Sequence, residues 1–320
     1  CSQRRTLPPS TVQLGCDTVH EGSKKAIVAA FLANLGIAIA KFAGFLITKS
    51  AGMLAEAMHS LADTGNQGLL MLGSRRASKG RTDQRHFGSG RERYFWAFIV
   101  SLVLFTFGGV FALYEGISKF KHPHETDNML VAIVILLVAI VLEGSSMRTA
   151  VKEAHAVRID GQSWWRFIRD AKQPELPVVL LEDFGALIGL VFALLGVALT
   201  RITHDPRWDA VGSIAIGVLL VSIAIILVIE LKGLLVGESA SEVDHERLRA
   251  MFTGARGVLS VLDLRTEYVG PDEILVAAKL EFDHTMSGDD VSVAINEMEV
   301  SIRAAFREKL LLFIEPDLRR

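Results

Sequence analysis

The chain has 320 residues, half of them apolar and 22% charged. That mixture excludes a uniformly water-soluble globule and points to membrane segments joined to a soluble part. A formal net charge of −2 offers no basis for a nucleic-acid partner, and the two cysteines, Cys1 and Cys16, make neither a disulfide framework nor a CxxC zinc motif.

In chain order, residues 1–23 read as a polar cytoplasmic tail without the apolar core of a cleavable signal peptide. Residues 24–232 read as a six-helix transmembrane domain. The spans run approximately Ala26–Thr48, Met53–Gly73, Tyr94–Ile117, Met129–Met147, Leu176–Thr200 and Ala210–Ile229. Each is close to the roughly 20 residues a bilayer requires. The third and sixth are the cleanest, since Tyr94–Tyr114 and Ala210–Ile229 carry no charge. Lys41, near the end of the first, can snorkel to the interface or pair with Glu115, Glu143 or a lipid headgroup. Glu115 and Glu143 lie near span ends, where they can cap, pair with loop cations or line a cavity. Gly36, Gly44, Gly108, Gly109, Gly185, Gly189, Gly212 and Gly217 permit close helix packing.

Loop charges orient the spans. Arg4, Arg5, Lys24 and Lys25 precede the first, and seven basic residues from Arg75 to Arg93 follow the second. Arg148, Lys152, Arg158, Arg166, Arg169 and Lys172 follow the fourth, against only Lys49, Lys119, Lys121, Arg201 and Arg207 on the other side. The basic side is expected to be cytoplasmic, with both termini inside. Tyr94, Trp96, Trp164 and Trp208 fall near predicted interfaces, as an aromatic belt would.

Residues 233–320 read as a small soluble α+β domain of order αββαβ. Glu242–Phe252 has helical spacing, Val258–Tyr268 and Glu273–Phe282 alternate like strands around Gly270–Pro271, and Leu311–Ile314 is a last short strand. Val291–Lys309 is an amphipathic helix with Val293, Ile295, Met298, Ile302 and Phe306 on one side.

Two acidic clusters interrupt the apolar pattern: Glu56, His59 and Asp63 in the second span, and Glu182–Asp183 in the fifth. An ionised carboxylate at the bilayer centre costs about 2.5–3.5 kcal/mol on insertion scales, which makes an intramembrane ionisable residue a functional-site hypothesis by default. His59 and Asp63 are four apart and share a helix face, with Glu56 on nearly the same face. Imidazole plus carboxylates is a ligand set for first-row divalent metals such as zinc, manganese or iron(II). Taken singly, His59 reads as a hydrogen-bonded core residue and either Asp as a helix–helix contact or a proton relay. Taken together, they read as metal or proton handling. No His-Glu-x-x-His occurs, so an intramembrane metalloprotease is not expected. An organic-cation carrier needs no imidazole.

The run from Ser50 to Asp63, Ser-Ala-Gly-Met-Leu-Ala-Glu-Ala-Met-His-Ser-Leu-Ala-Asp, closely resembles the second-span signature of the cation diffusion facilitator (CDF) transporters. So do Asn34 and Lys41 in the first span, His86-Phe-Gly-Ser-Gly-Arg91 after the second, and Leu181-Glu-Asp-Phe-Gly-Ala-Leu-Ile-Gly189 in the fifth. The Leu-Glu-Asp run is most similar to the zinc transporter nine branch. The resemblance covers about residue 24 to 320. It implies metal–proton antiport, a homodimer in the lipid bilayer, no enzymatic activity, and a ferredoxin-like cytoplasmic domain. The family's site takes two residues four apart from span two and two from span five. Carried over, these are His59, Asp63, Asp183 and Val179, and valine cannot bind metal. The fourth ligand is then water, Glu182, Glu56 or Asn34. Glu182 sits about 100° around the helix from Asp183, so a rotated or distorted helix is expected if it joins.

A site with three protein ligands plus water is the open, exchanging kind. Zinc is the first choice of substrate; manganese or iron(II), or a non-transporting regulatory member, are the alternatives. Metal binds deprotonated ligands, so binding expels protons, and His59 is the expected proton-coupled ligand. In the C-terminal domain, the positions where some family members bind metal correspond to Leu262, Lys279, Glu315 and Asp317, so no binuclear zinc site is expected there. Asp283 and His284 are expected to be solvated near a turn.

Overall fold

The structure is a computed structural model describing residues 34–123, 128–158 and 161–319. The polar tail with Cys1 and Cys16, and the start of the span expected from Ala26, lie outside the described residues. The long helices are α1 (Asn34–Thr48), α2 (Ala51–Ala77), α3 (Glu92–Lys121), α4 (Met129–Val157), α6 (Glu175–Thr203) and α7 (Arg207–Val236), with a short α5 (Trp164–Asp170) between α4 and α6. α3, α4, α6 and α7 are each long and apolar enough to cross a membrane. The polar stripe of α2 keeps it below that threshold even at 27 residues.

The second span is longer than expected because it is capped on both sides. Ser50 accepts a hydrogen bond from the Met53 N–H at 3.2 Å, and the helix continues past Gly73 to Ala77. α3 is not a plain α-helix. Leu104–Val110 is wound as a π-helical turn containing Gly108 and Gly109, a rare geometry that occurs often at functional sites. Gly109 lies where a Cβ would be 3.0 Å from the Val221 backbone nitrogen, which brings α3 close against α7. A Cβ on Gly36, by contrast, would meet nothing within 4 Å among the described residues. The core of the bundle is formed by side chains such as Met53, Val100, Leu104, Leu136, Leu190, Ile216 and Leu220.

Three expectations about charged and aromatic residues are corrected. Lys41 does not snorkel; it is fully buried, and of the partners expected for it Glu143 is the one found, at 3.5 Å, with Glu56 added at 3.2 Å. Lys119 is not a loop charge; it is buried on α3 and pairs with Asp209 at 2.7 Å. Tyr94 is no interface anchor, because it is completely buried.

The C-terminal part holds α8 (Glu242–Thr253), β1 (Val258–Gly270), β2 (Glu273–Phe282), α9 (Gly288–Ala305) and β3 (Lys309–Pro316). The strand order is β1-β2-β3, with β1 antiparallel and β3 parallel to β2. These are the last five elements of the six in ferredoxin-like βαββαβ order; the leading strand is absent among the described residues. Ile274, Val276, Ala278, Leu280 and Phe282 form one buried face of β2, packed with Leu248, Phe252, Met298 and Ile302. α9 starts earlier and ends earlier than expected. A reciprocal cap between Ser287 and Asp290 sets its start, and Lys309 already belongs to β3. Val293 is exposed, and Ala294 takes its place in the core. Asp283 is not merely solvated: it accepts hydrogen bonds from the Thr285 N–H and hydroxyl at 2.8 and 2.7 Å, which hold its carboxyl below the ordinary range. Lys279 lies between Glu315 at 3.1 Å and Asp317 at 3.5 Å.

The segment His86-Phe-Gly-Ser-Gly-Arg91 docks the helices onto this sheet. Gly88 adopts φ +85°, and a Cβ on Gly90 would sit 2.8 Å from the Gly270 Cα, so both positions require glycine. Arg91 pairs with Glu267. Arg93 bridges Glu175 at the start of α6 and Asp272 in the β1–β2 turn, the latter at 2.9 Å.

Candidate metal site

One face of α2 carries Glu56, Ser60, Asp63 and Gln67 at i, i+4, i+7 and i+11, a polar stripe at helical spacing. Ser60, Asp63 and Gln67 meet Val179, Glu182 and Asp183 of α6, with Asn34 of α1 and Glu143 of α4, around a small cavity of about 20 Å³. That is room for about one water-sized species. Of the residues expected at the site, Asn34, Asp63, Glu182 and Asp183 therefore share one cavity, and Val179 stands in its wall.

Glu182 lines the cavity and accepts a 2.6 Å hydrogen bond from the Asn66 side-chain amide. Asp183 accepts from the Ser146 hydroxyl at 3.0 Å. His59 is fully buried behind the cavity, with Nε2 3.4 Å from Asp63 Oδ2. That separation suits charge attraction, but the two groups are not aligned for a hydrogen bond. Both His59 ring nitrogens, Asp63 Oδ1 and the Asn66 amide oxygen are buried without a hydrogen-bond partner. Such groups are rare in folded proteins and call for a specific explanation. Gly108 of the π turn lies against the imidazole: a Cβ there would be 3.8 Å from Nδ1.

Glu56 is drawn elsewhere. Its Oε2 lies 3.2 Å from the Lys41 ammonium, away from the cavity wall. Among the described residues, no three His, Cys, Asp or Glu side chains stand close enough together to grip an ion in this arrangement. Asp63 and Asp183 share the cavity, and His59 is not part of its lining.

Beyond the cavity, toward the end of the bundle remote from the sheet, α2 is sealed. Ala51, Gly52, Met53, Ala55, Glu56 and Ala57 are all buried. There Asp209 accepts from the Ser50 hydroxyl at 2.6 Å, the Ala51 N–H at 2.7 Å, the Gly52 N–H at 3.4 Å and Lys119 at 2.7 Å. The remaining polar side of the cavity lies on the first turns of α6, the side nearer the sheet.

Asn66, Gln67, Ser60 and Ser146 were missed as wall residues or partners. The stripe spacing on α2 was the available signal for Ser60 and Gln67. Asp209 was missed because it precedes the uncharged run by one residue.

The profile of the cation efflux transmembrane domain matches residues 27–236. The chain is 30% identical over 264 residues, 82% of its length, to the human protein named proton-coupled zinc antiporter SLC30A9, mitochondrial, covering 46% of that relative. It is 29% identical over 285 residues, 87% of its length, to the Xenopus laevis protein of the same name, covering 51% of it. It is also 26% identical over 265 residues to metal tolerance protein C4 of Arabidopsis thaliana, covering 82% of this chain and 58% of that one. The chain thus spans about half the length of the curated relatives it matches. With four helices among the described residues long and apolar enough to span a bilayer, it is an integral membrane protein. It belongs to the cation efflux, or cation diffusion facilitator, family of divalent metal transporters.

Proposed function

We propose that this chain exports zinc by exchange for protons, through a site formed by His59, Asp63 and Asp183 between α2 and α6. The observation that carries this reading is the pairing of Asp63 and Asp183 across one buried cavity, with the hydrogen-bond-free imidazole of His59 beside it. A divalent cation drawn in would gather these groups and satisfy their free lone pairs. Val179 in the wall leaves the fourth position to water, to Glu182, which lines the same cavity, or to Asn34. Glu56, tied to Lys41, ranks last. One His with carboxylates accommodates zinc, manganese and iron(II), and zinc binds most tightly of the three at equal availability. Names of relatives given as zinc antiporters support the same choice.

Six spans complete the reading, α1 and α2 being the first two. The transport domain covers residues 24–232 and the ferredoxin-like domain 233–320. Both termini face the side of the basic loops, the cytoplasm, and two copies form a homodimer. The sealed end at Asp209 corresponds to a state whose site communicates with the basic side. Bound metal expels protons from its ligands, and acid on the opposite side displaces the metal. His59 is the ligand whose unperturbed range lies nearest neutrality.

The test is flux of zinc, manganese, iron(II), cobalt and cadmium into proteoliposomes under an imposed pH gradient, with Asp183→Ala alongside. Gradient-dependent zinc flux that the variant abolishes is expected. No flux of any metal by folded, dimeric protein would move a regulatory role to the front.

A further inference from the structure

Lys41 lies midway along the described part of α1, fully buried. A lysine there would ordinarily stretch toward the interface, but its ammonium turns inward. It donates to the Ser60 hydroxyl at 2.7 Å and to Glu56 Oε2 at 3.2 Å on α2, and to Glu143 Oε1 at 3.5 Å on α4. Ser60 and Glu143 are also walls of the transport cavity. The pocket for this network is built: a Cβ at Gly189 would collide with Glu56 Oε1, so the glycine of α6 makes room for the carboxylate. A fixed positive charge therefore stands directly behind a cavity lined by Asp63, Glu143, Glu182 and Asp183. In so enclosed a place, solvent ions screen it little.

An ammonium and a divalent cation compete for the same carboxylates. We propose that Lys41 is a positioning residue for transport. Its ammonium competes with the metal for the Glu143 carboxylate in the cavity wall and keeps Glu56 turned to itself, and so keeps the ion loosely enough bound to be released. The inference rests on the transport reading above. Without Lys41, the Glu143 carboxylate, already in the cavity wall with Asp63 and Asp183, gives its full charge to the metal, and the site becomes a tighter and slower one.

The test compares zinc affinity by calorimetry on the full chain in detergent with KM and kcat in proteoliposomes. The wild type is compared with Lys41→Met, the charge-matched Lys41→Met/Glu56→Gln, Lys41→Met/Glu143→Gln and Lys41→Arg. Lys41→Met is expected to bind zinc at least tenfold more tightly, with KM and kcat both falling about tenfold. A purely structural lysine would lower the yield of folded protein and leave KM unchanged. Lys41→Met/Glu56→Gln carries no unpaired charge from the broken Lys41–Glu56 pair and keeps Glu143, so it shows the same tightening even if the single variant fails to fold. Lys41→Met/Glu143→Gln returns the affinity to within about threefold of wild type, and Lys41→Arg stays there. Folded Lys41→Met or Lys41→Met/Glu56→Gln binding zinc no more tightly than wild type would overturn the inference while leaving the transport reading intact. Wild type that neither binds nor moves a divalent metal would remove both.

Discussion

Among the described residues, two lysines are buried against carboxylates in this bundle, and their surroundings differ. At the end remote from the sheet, Asp209 is saturated: a hydroxyl, two backbone N–H groups that open α2, and Lys119 all donate to it. Beside the cavity, Lys41 is shared among Ser60, Glu56 and Glu143, while Glu56 Oε1, Asp63 Oδ1 and both His59 nitrogens accept or donate nothing. A buried polar network that is fully satisfied rigidifies its surroundings, and one left partly satisfied is held there at a cost in stability. The first network is a fastening, and the second is the region where an ion can be exchanged.

Breaking the fastening should produce the largest loss of stability. Asp209→Ala strands the Lys119 charge and the α2 N–H groups, and removing one partner of a buried pair costs about 3–5 kcal/mol. Thermal unfolding in detergent should show it, and Lys119→Met/Asp209→Ala should be less destabilised than Asp209→Ala. Equal destabilisation of the two would mean that the lysine charge is not what Asp209 balances. The cavity should behave oppositely. Asp63→Ala is expected to reduce zinc flux by 100-fold or more, yet leave the unfolding temperature at or above wild type, because it removes an unsatisfied carboxylate. A melting point lowered as far as in Asp209→Ala would erase the distinction between the two regions.

Restoring a ligand sharpens the comparison from the other side. Val179→Asp should bind zinc about tenfold more tightly and release it more slowly, seen as a fall in both KM and kcat. Unchanged values would place the metal away from the α6 wall. A smaller effect follows from Asn66→Ala, which deprives Glu182 of its donor and should cost about 1–3 kcal/mol, measurable in the same melting experiment.

The least effect is expected in the sheet domain. Hydrogen bonds from Ser287 hold the Asp290 carboxyl below its ordinary range. Its contribution is therefore present above the unfolded carboxyl value and fades as pH falls through the lower folded one. Asp290→Asn should shift the full chain's melting point slightly at pH 7 and not at strongly acidic pH.

Much of this was legible from residue order. Long uncharged runs announce α3 and α7, and α4 and α6 stay apolar enough to span a bilayer despite Glu143 and Glu182–Asp183. The i, i+4, i+7, i+11 stripe of α2 announces a wet face, and alternation announces β1 and β2. What could not be read is which partner each buried charge selects. Lys41 and Glu56 lie 15 residues apart, and Lys119 and Asp209 lie 90 apart; only helix packing brings them together. The π turn at Leu104–Val110 has no periodic signature beyond the Gly108–Gly109 pair. Val293 and Ala294 exchange places because a one-residue rotation of α9 is small on a helix whose apolar face is broad. Glu182, a wall of the cavity, is fixed by the amide of Asn66, about one turn beyond Asp63 on α2, a pairing that only helix packing reveals.

The central claim is that Asp63 and Asp183 hold a metal whose passage is exchanged for protons. The most direct test loads proteoliposomes with a pH indicator and an acidic interior, then adds zinc outside. The wild-type chain should alkalinise the interior in step with zinc entry, and Asp183→Ala should do neither. Zinc entry without proton movement, or proton-coupled entry that survives in Asp183→Ala, would contradict it.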